Sequence, residues 1–227
     1  MLDWLFTPQC VACGIPASTL CEPCAHSLLE LGEACRLCAE PGVSPCARCS
    51  ATPLPLERVL SPWRFGGQLA SAIRRLKFGR RAHVARDVAP LWAPLLAAVV
   101  TANDALVVPV PLHWRRRFVR GFDHTWLLAR HACASAGLSP PRPLLRRVRA
   151  TPPQSTLSAE QRRENVAHAF VARDRAAIVG RAVALVDDVV TTGSTLAAAA
   201  EALRGAGATT VIGVSLARAA STTSSRG

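Results

Sequence analysis

Lysine and tyrosine are the residues this sequence avoids: Lys77 is the one lysine among 27 basic residues, and tyrosine does not occur. In a chain rich in Ala, Arg and Pro, the base composition of the coding DNA accounts for Arg over Lys. It does not account for the excess of bases over acids, a formal net charge of +12. Such a field attracts polyanions, either phosphorylated metabolites or nucleic acid, and by itself selects neither. Long apolar runs are also missing. The longest, residues 88–102, covers fifteen positions and is interrupted by Pro90 and Pro94. It is too short and too broken to cross a bilayer, so no membrane span is expected. The opening MLDWLFTPQC has no basic stretch ahead of an apolar core, so no secretory leader is expected and the chain reads as cytoplasmic. Aromatic residues make up 5% of the chain, and the Arg run is interleaved only with Trp114 and Phe118. A platform for stacking single-stranded bases is therefore not legible. What is present, 227 residues of which 50% are apolar, suffices for one medium domain and one small one.

Cysteine is plentiful. Nine occur, eight of them in four C-x-x-C pairs: Cys10/Cys13, Cys21/Cys24, Cys35/Cys38 and Cys46/Cys49. Each of the first four recurs 25 residues later, and Pro16 recurs as Pro41, so the segment is an internal duplication. A C-x-x-C knuckle aims two thiolates at one tetrahedral ion, and two knuckles complete a four-cysteine zinc site. Disulfides fit badly without an export signal, and thioredoxin-like chemistry needs one C-x-x-C on a βαβ unit rather than four in tandem. Two structural Zn²⁺ ions are expected. The simplest pairing puts Cys10, Cys13, Cys21 and Cys24 on one and Cys35, Cys38, Cys46 and Cys49 on the other; an interleaved pairing is the alternative. Four thiolates leave no open coordination position, and metal replaces much of the core that so short a segment lacks. Cys133, alone in an Ala-rich helical stretch, is expected to be a small buried side chain.

The stretch VALVDDVVTTGSTL, from Val183 to Leu196, carries the most chemistry. Val183 to Val186 is apolar without alternation, as a strand buried on both faces of a parallel sheet should be. It is expected to end in two adjacent carboxylates, Asp187 and Asp188. Thr191, Thr192, Gly193, Ser194 and Thr195 follow, and then LAAAAEALRGAG, a helix pattern with a Gly stop. The free N–H groups and positive dipole end of a helix N-terminus suit a phosphate. Carboxylates are poor phosphate ligands, but they suit sugar hydroxyls and a metal. The plain alternative is a strand–turn–helix with a polar turn, which rarely needs paired acids and four hydroxyl side chains around one Gly.

Past Cys49 the run SATPLPLERV reads as a linker. A Cys-rich domain is expected over residues 1–52, an α/β domain over 55–219 and a disordered tail over 220–227. Strands are expected over 58–65, 105–110, 144–148 and 209–216 besides the one at Val183, and helices over 67–78, 84–102, 121–136 and 158–166. Strands separated by helices imply a parallel sheet flanked by helices. A second loop, LVVPVPLHWRRRFVRGFDHT, leaves a strand through Pro109 and Pro111 and enters Arg115, Arg116, Arg117, Arg120 and Gly121. Ligands collect where the strands of an open α/β sheet end, so this cluster is expected beside the Asp-Asp loop, able to neutralise pyrophosphate. A solvated basic face is the alternative.

LVDDVVTTGST resembles the phosphoribosyl-pyrophosphate (PRPP) motif of type I phosphoribosyltransferases, and nearly the whole chain resembles the ComF family, the competence protein F-like phosphoribosyltransferases. The resemblance runs through the cysteine knuckles, Leu76-Lys77-Phe78, VPVPLH, RGF, the segment RVRATPPQSTLSAEQRRENVAHAF and the PRPP motif, in that order. Two departures stand out. Asp123-His124 occupies the place where the family usually has Asn-Gln, adding a carboxylate that would repel pyrophosphate or bind Mg²⁺. The duplicated knuckles exceed the single cysteine set of some members.

The resemblance implies a type I phosphoribosyltransferase fold. Asp187 and Asp188 would hold the ribose 2- and 3-hydroxyls, directly or through Mg²⁺. Val189, Val190 and Thr191 to Thr195 would form the PRPP loop, with Gly193 and the hydroxyls around the 5-phosphate. Pro111, Arg115, Arg120 and Gly121 would approach the pyrophosphate, and Gln154, Leu157, Arg162, Arg163 and Asn165 would cover the site. The reaction implied is displacement of pyrophosphate from the anomeric carbon by a nitrogen nucleophile. No residue stands out as its general base; His113 and His124 are nearby but read as incidental. Two function classes stay open: a nucleobase-salvage transferase, or a PRPP-binding protein of natural transformation whose partners are incoming single-stranded DNA and a helicase. The Cys-rich segment carries only Arg36 and Arg48 against five acids from Asp3 to Glu40, so a DNA surface would lie mostly on the larger domain.

Overall fold

The computed structural model describes residues 9–16, 20–79, 81–113, 118, 121–149 and 169–220. The expected helix over 158–166 and the tail beyond 220 lie outside them. The two cysteine segments fold alike. Isolated bridges Gln9↔Pro16 and Ala34↔Pro41 close the two first knuckles, and short helices α1 (Glu22–His26) and α2 (Ala47–Ala51) follow Cys21 and Cys46. The duplication read from the cysteine spacing is therefore a repeat in three dimensions.

The α/β part opens with β1 (Arg58–Leu60) and β2 (Trp63–Arg64), both parallel to β7 (Thr210–Arg218). One strand was expected over 58–65. It breaks at Ser61-Pro62, where proline has no N–H for the ladder and its carbonyl instead accepts from Leu31 N at 2.9 Å. Helix α3 (Gly67–Phe78) is where the pattern puts it. The expected helix over 84–102 is two: α4 (Val84–Val88) and α5 (Ala93–Asn103), joined by a 3₁₀ turn at Ala89–Leu91 and bent by 61°. Pro90 and Pro94 account for the break, since each removes a donor and crowds the preceding turn. Next come β3 (Leu106–Pro109) and α6 (His124–Ser135).

A correction concerns residues 144–148. β4 (Leu145–Arg147) does not join the parallel sheet; it pairs antiparallel with β5 (Phe170–Ala172), a strand that no pattern announced. Three residues are too few for a periodicity to declare itself. The short α7 (Arg175–Ile178), β6 (Ala182–Val190), α8 (Ser194–Gly205) and β7 complete the chain.

The main sheet runs β1-β7-β6-β3 with β2 also on β7, all parallel. Its central strand explains the unalternating apolar run. Val183 and Leu185 face a layer with Val108, Ile178, Leu196 and Leu203. Ala184 and Val186 face the opposite layer with Ile73, Leu76, Trp92, Leu96 and Leu128. Burial on both faces leaves no polar position to alternate. β6 also runs farther than expected: Asp187 and Asp188 are its own residues, and the pairing continues through Asp187↔Ser215 to Val190↔Arg218. The Cys-rich segment shares the core, with Val11 in one layer and Leu31 and Ala39 in the other. No single helix among the described residues is long and apolar enough to cross a membrane. The apolar α4–α5 stretch is buried instead, with Val88, Trp92 and Leu96 at 0% exposure. Cys133 is buried as expected, and burial pushes its thiol up to about 11.

Candidate functional site

The cysteines come together in sequence order. The sulfurs of Cys10, Cys13, Cys21 and Cys24 lie within 4.8 Å of one another, as do those of Cys35, Cys38, Cys46 and Cys49; the interleaved pairing is not the one adopted. Cys13 Sγ and Cys21 Sγ are 3.7 Å apart, Cys38 Sγ and Cys46 Sγ 3.6 Å. Sulfurs at the roughly 2.3 Å zinc–thiolate distance sit about 3.8 Å apart in a tetrahedron, so both clusters fit a Zn²⁺ ion. A disulfide would need about 2.05 Å. The surroundings also suit thiolates. The Cys10 thiol, though burial opposes its charge, is drawn down to about 6 by the N–H groups of Cys13, Cys21 and Ala12. Cys35 is likewise drawn to about 6 against its burial, by Cys46, Leu37 and Cys38. Burial and neighbouring thiols push Cys24 and Cys49 up. Both clusters can thus hold a divalent ion.

Parallel pairing of β3 with β6 brings the two sequence-distant loops side by side. The ladder continues one step beyond β3, with Val110 N donating to Val186 O at 2.8 Å. Past that point lies a cleft of about 170 Å³ lined by Pro111, Leu112, Asp187, Asp188, Val189 and Thr195, and also by Lys77, His124 and Arg147. A larger cleft of about 1030 Å³ adjoins it through Pro111, Leu112 and Arg147, and contains Gly121, Phe122 and Trp126. Of the residues singled out from sequence, Pro111, Asp187, Asp188, Val189 and Thr195 thus meet in one place. Val190 turns into the core instead, and Gly193 and Ser194 are buried at the head of α8 while Thr191 is exposed. Arg115, Arg120, Gln154, Leu157, Arg162, Arg163 and Asn165 lie outside the described residues.

The two carboxylates are unequal. Asp188 is 3% exposed. Its Oδ1 accepts from Val189 N at 2.8 Å, while its Oδ2 lies 2.6 Å from Lys77 Nζ and 3.2 Å from His124 Nε2. Burial works against its charge, but Lys77 and His124 outweigh that and hold the Asp188 carboxyl far below the usual range. Asp187 is half-buried, and its Oδ1 accepts from Asp188 N at 2.9 Å. Burial and the neighbouring Asp188 charge push Asp187 up to about 8, with Lys77 opposing. One member is a sequestered anion, while the other is biased toward its protonated form.

The loop between them and α8 is built by local chemistry. Gly193 has φ +78°, the left-handed region that glycine enters without cost. The Thr192 and Ser194 hydroxyls are 2.7 Å apart, and Ala197 N donates to Gly193 O at 2.9 Å to start the helix. On the other wall, Asp123 has both oxygens engaged: Oδ2 accepts from Leu112 N at 2.9 Å and Oδ1 from Trp126 N at 3.1 Å. The carboxylate that departs from the family pattern is therefore the N-cap of α6 and the tie that holds the Pro111 loop. Neither repulsion of an anion nor a metal is needed to explain it.

Lys77, His124 and Arg147 are the cleft residues that sequence reasoning did not assign. The singular lysine in an Arg-rich chain was the available signal for the first. His124, read as incidental, is 3% exposed and faces Asp188. Arg147 is buried, its guanidinium 5.3 Å from the centre of the Phe170 ring.

A parallel sheet ending in an Asp-Asp pair and a Gly-opened helix, joined to two four-cysteine modules, defines a phosphoribosyltransferase-type protein with a metal-binding N-terminal segment. The phosphoribosyl transferase domain model matches residues 129–226. The DNA utilization protein YhgH of Salmonella typhimurium is 34% identical over 89% of this chain and 93% of its own length, and that of Escherichia coli K12 is 32% identical over the same shares. Competence protein F of Haemophilus influenzae is 35% identical over 66% of this chain and 68% of its own. The chain belongs to the ComF, or competence protein F-like, family.

Proposed function

We propose that this chain binds PRPP in the cleft formed by Asp187, Asp188 and the 191–195 loop, and that it serves the uptake and use of single-stranded DNA as a ComF-type protein. The observation that supports this most is the convergence of the Asp pair, the Pro111 loop and the α8 N-terminus on one cleft. The names of the relatives, competence protein F and DNA utilization protein, support the second half. In this reading the Thr191–Thr195 backbone and hydroxyls take the 5-phosphate. Asp187, half-buried and with one oxygen free of the Asp188 amide, takes the ribose hydroxyls and a Mg²⁺ ion. Asp188 acts from behind, holding the Lys77 ammonium and the His124 imidazole at the cleft as donors for the pyrophosphate. The residues over 1–52 serve as a zinc-bearing module and those over 55–219 as the PRPP domain. Single-stranded DNA and a helicase are the partners the reading implies, on the cytoplasmic side.

A second reading, transfer of phosphoribosyl to a free nitrogen base, is favoured by the adjoining 1030 Å³ cleft with Phe122 and Trp126, where an aromatic acceptor would fit. Calorimetric titration of PRPP with Mg²⁺, followed by incubation with a panel of bases, tests both. Binding that Asp187→Ala abolishes supports the site; binding indifferent to Asp187 and Asp188 overturns it. Rapid pyrophosphate release with one free base establishes the second reading over the first.

A further inference from the structure

The two cysteine modules are copies that have diverged where they meet the rest of the molecule. In the second, Arg48 sits between Cys46 and Cys49, and its Nη1 donates to Thr192 O at 2.9 Å. Glu40 of the same module pairs with Arg218, whose Nη1 donates to Val190 O and Ala219 O at 3.0 Å each. Leu54 packs on the cluster of Cys35, Cys38 and Cys49, and its Cδ1 is 2.9 Å from where a Cβ on Gly193 would stand. Two carbonyls and the glycine of the 190–193 turn are thus braced from the second module. At the matching places the first copy has Pro23 for Arg48 and Ile15 for Glu40. It docks elsewhere, with Arg75 of α3 donating to Cys10 O and Val11 O at 3.2 and 3.4 Å.

We propose that Arg48 is a positioning residue for the phosphate loop, and that metal binding by Cys35, Cys38, Cys46 and Cys49, but not by the first cluster, sets that loop through it. In a trans peptide the carbonyl and the following N–H point in opposite directions. A Thr192 carbonyl held toward Arg48 therefore turns Gly193 N–H away from the cysteine module, the orientation an anion at the head of α8 requires. Four thiolates around one divalent ion leave a net negative charge beside Arg48. That charge holds the guanidinium in place, whereas an empty or oxidised cluster would not. Both modules are structural, but one of them also shapes the ligand site. As to ligand, this rests on the PRPP reading; as to loop geometry, it does not.

The test uses the full chain with two zinc ions. Arg48→Met is expected to retain both ions, to speed hydrogen exchange in peptides covering residues 187–197, and to weaken ribose 5-phosphate and PRPP by about tenfold. Affinity for inorganic pyrophosphate stays unchanged, a split that general destabilisation would not produce. Arg48→Lys, with a cation but no fork, falls between. Cys10→Ser with Cys13→Ser loses one zinc without changing exchange in that loop, while Cys46→Ser with Cys49→Ser loses one zinc and speeds it. Wild-type exchange in the loop of Arg48→Met overturns the proposal whatever the protein binds. Failure of the wild type to bind PRPP or ribose 5-phosphate overturns the ligand reading alone.

Discussion

Lys77 Nζ lies 2.6 Å from Asp188 Oδ2 at the mouth of the cleft, with the carboxylate side chain 5% and the lysine side chain 23% exposed. The single lysine of the chain thus neutralises the buried member of the Asp pair. An ammonium is a compact point charge on a flexible stem and reaches this position without the planar fork of a guanidinium.

Removing that charge should be costly. Lys77→Met leaves Asp188 buried with the His124 imidazole as its remaining side-chain neighbour, and a loss of about 2–3 kcal/mol in urea unfolding is expected, reduced from the fully buried case by the partial exposure of Lys77. Asp188→Asn in the same background should recover part of it. A double-mutant cycle with no coupling would show that the pair contributes nothing.

Asp187 should make stability fall as pH rises. Its carboxyl is raised from the ordinary value to about 8, so the folded state prefers the protonated form. The stabilisation is fully present below the unfolded value and lost as pH rises through 8. Asp188 is shifted down, so its contribution is lost only in acid, below the usual carboxylate range. Between pH 5 and pH 8 the ligand-free protein should lose about 1–3 kcal/mol that Asp187→Asn does not lose. Equal slopes for the two proteins would remove this assignment.

Zinc removal should unfold the cysteine modules and leave a destabilised remainder. Val11, Leu31 and Ala39 belong to the main core layers, so the loss is not confined to the metal sites. Elemental analysis should find two zinc ions per chain, and a strong chelator should lower the melting temperature as it releases them. Unchanged melting after complete release would show that the modules hold without metal.

Asp123 should behave as a cap. Asp123→Ala removes the acceptors for Trp126 N and Leu112 N and is expected to cost about 1–2 kcal/mol, with Asp123→Asn, which keeps one acceptor oxygen where two are used, in between. Thermal unfolding distinguishes them. An Asn variant as stable as the wild type would show that one of the two accepted hydrogen bonds contributes nothing.

What the sequence determined by itself is what short-range pattern can encode. The cysteine spacing set the duplicated knuckles, because two thiolates of a C-x-x-C must face one ion. The apolar run at Val183 marked a strand covered on both faces, and the hydroxyl-and-glycine loop before an Ala-rich helix marked where an anion would sit. The tertiary structure decided the rest. The sequential cysteine pairing, the split of residues 58–65 and the β4–β5 pair all depend on partners distant in the chain. So does the meeting of Lys77 and His124 at Asp188, which singled out His124 where local reading saw an incidental residue. Local periodicity reports which face of an element is buried, not which element will lie against it. The unequal behaviour of Asp187 and Asp188 arises from that second choice: Lys77 and His124 lie against Asp188, whereas burial beside the Asp188 charge acts on Asp187.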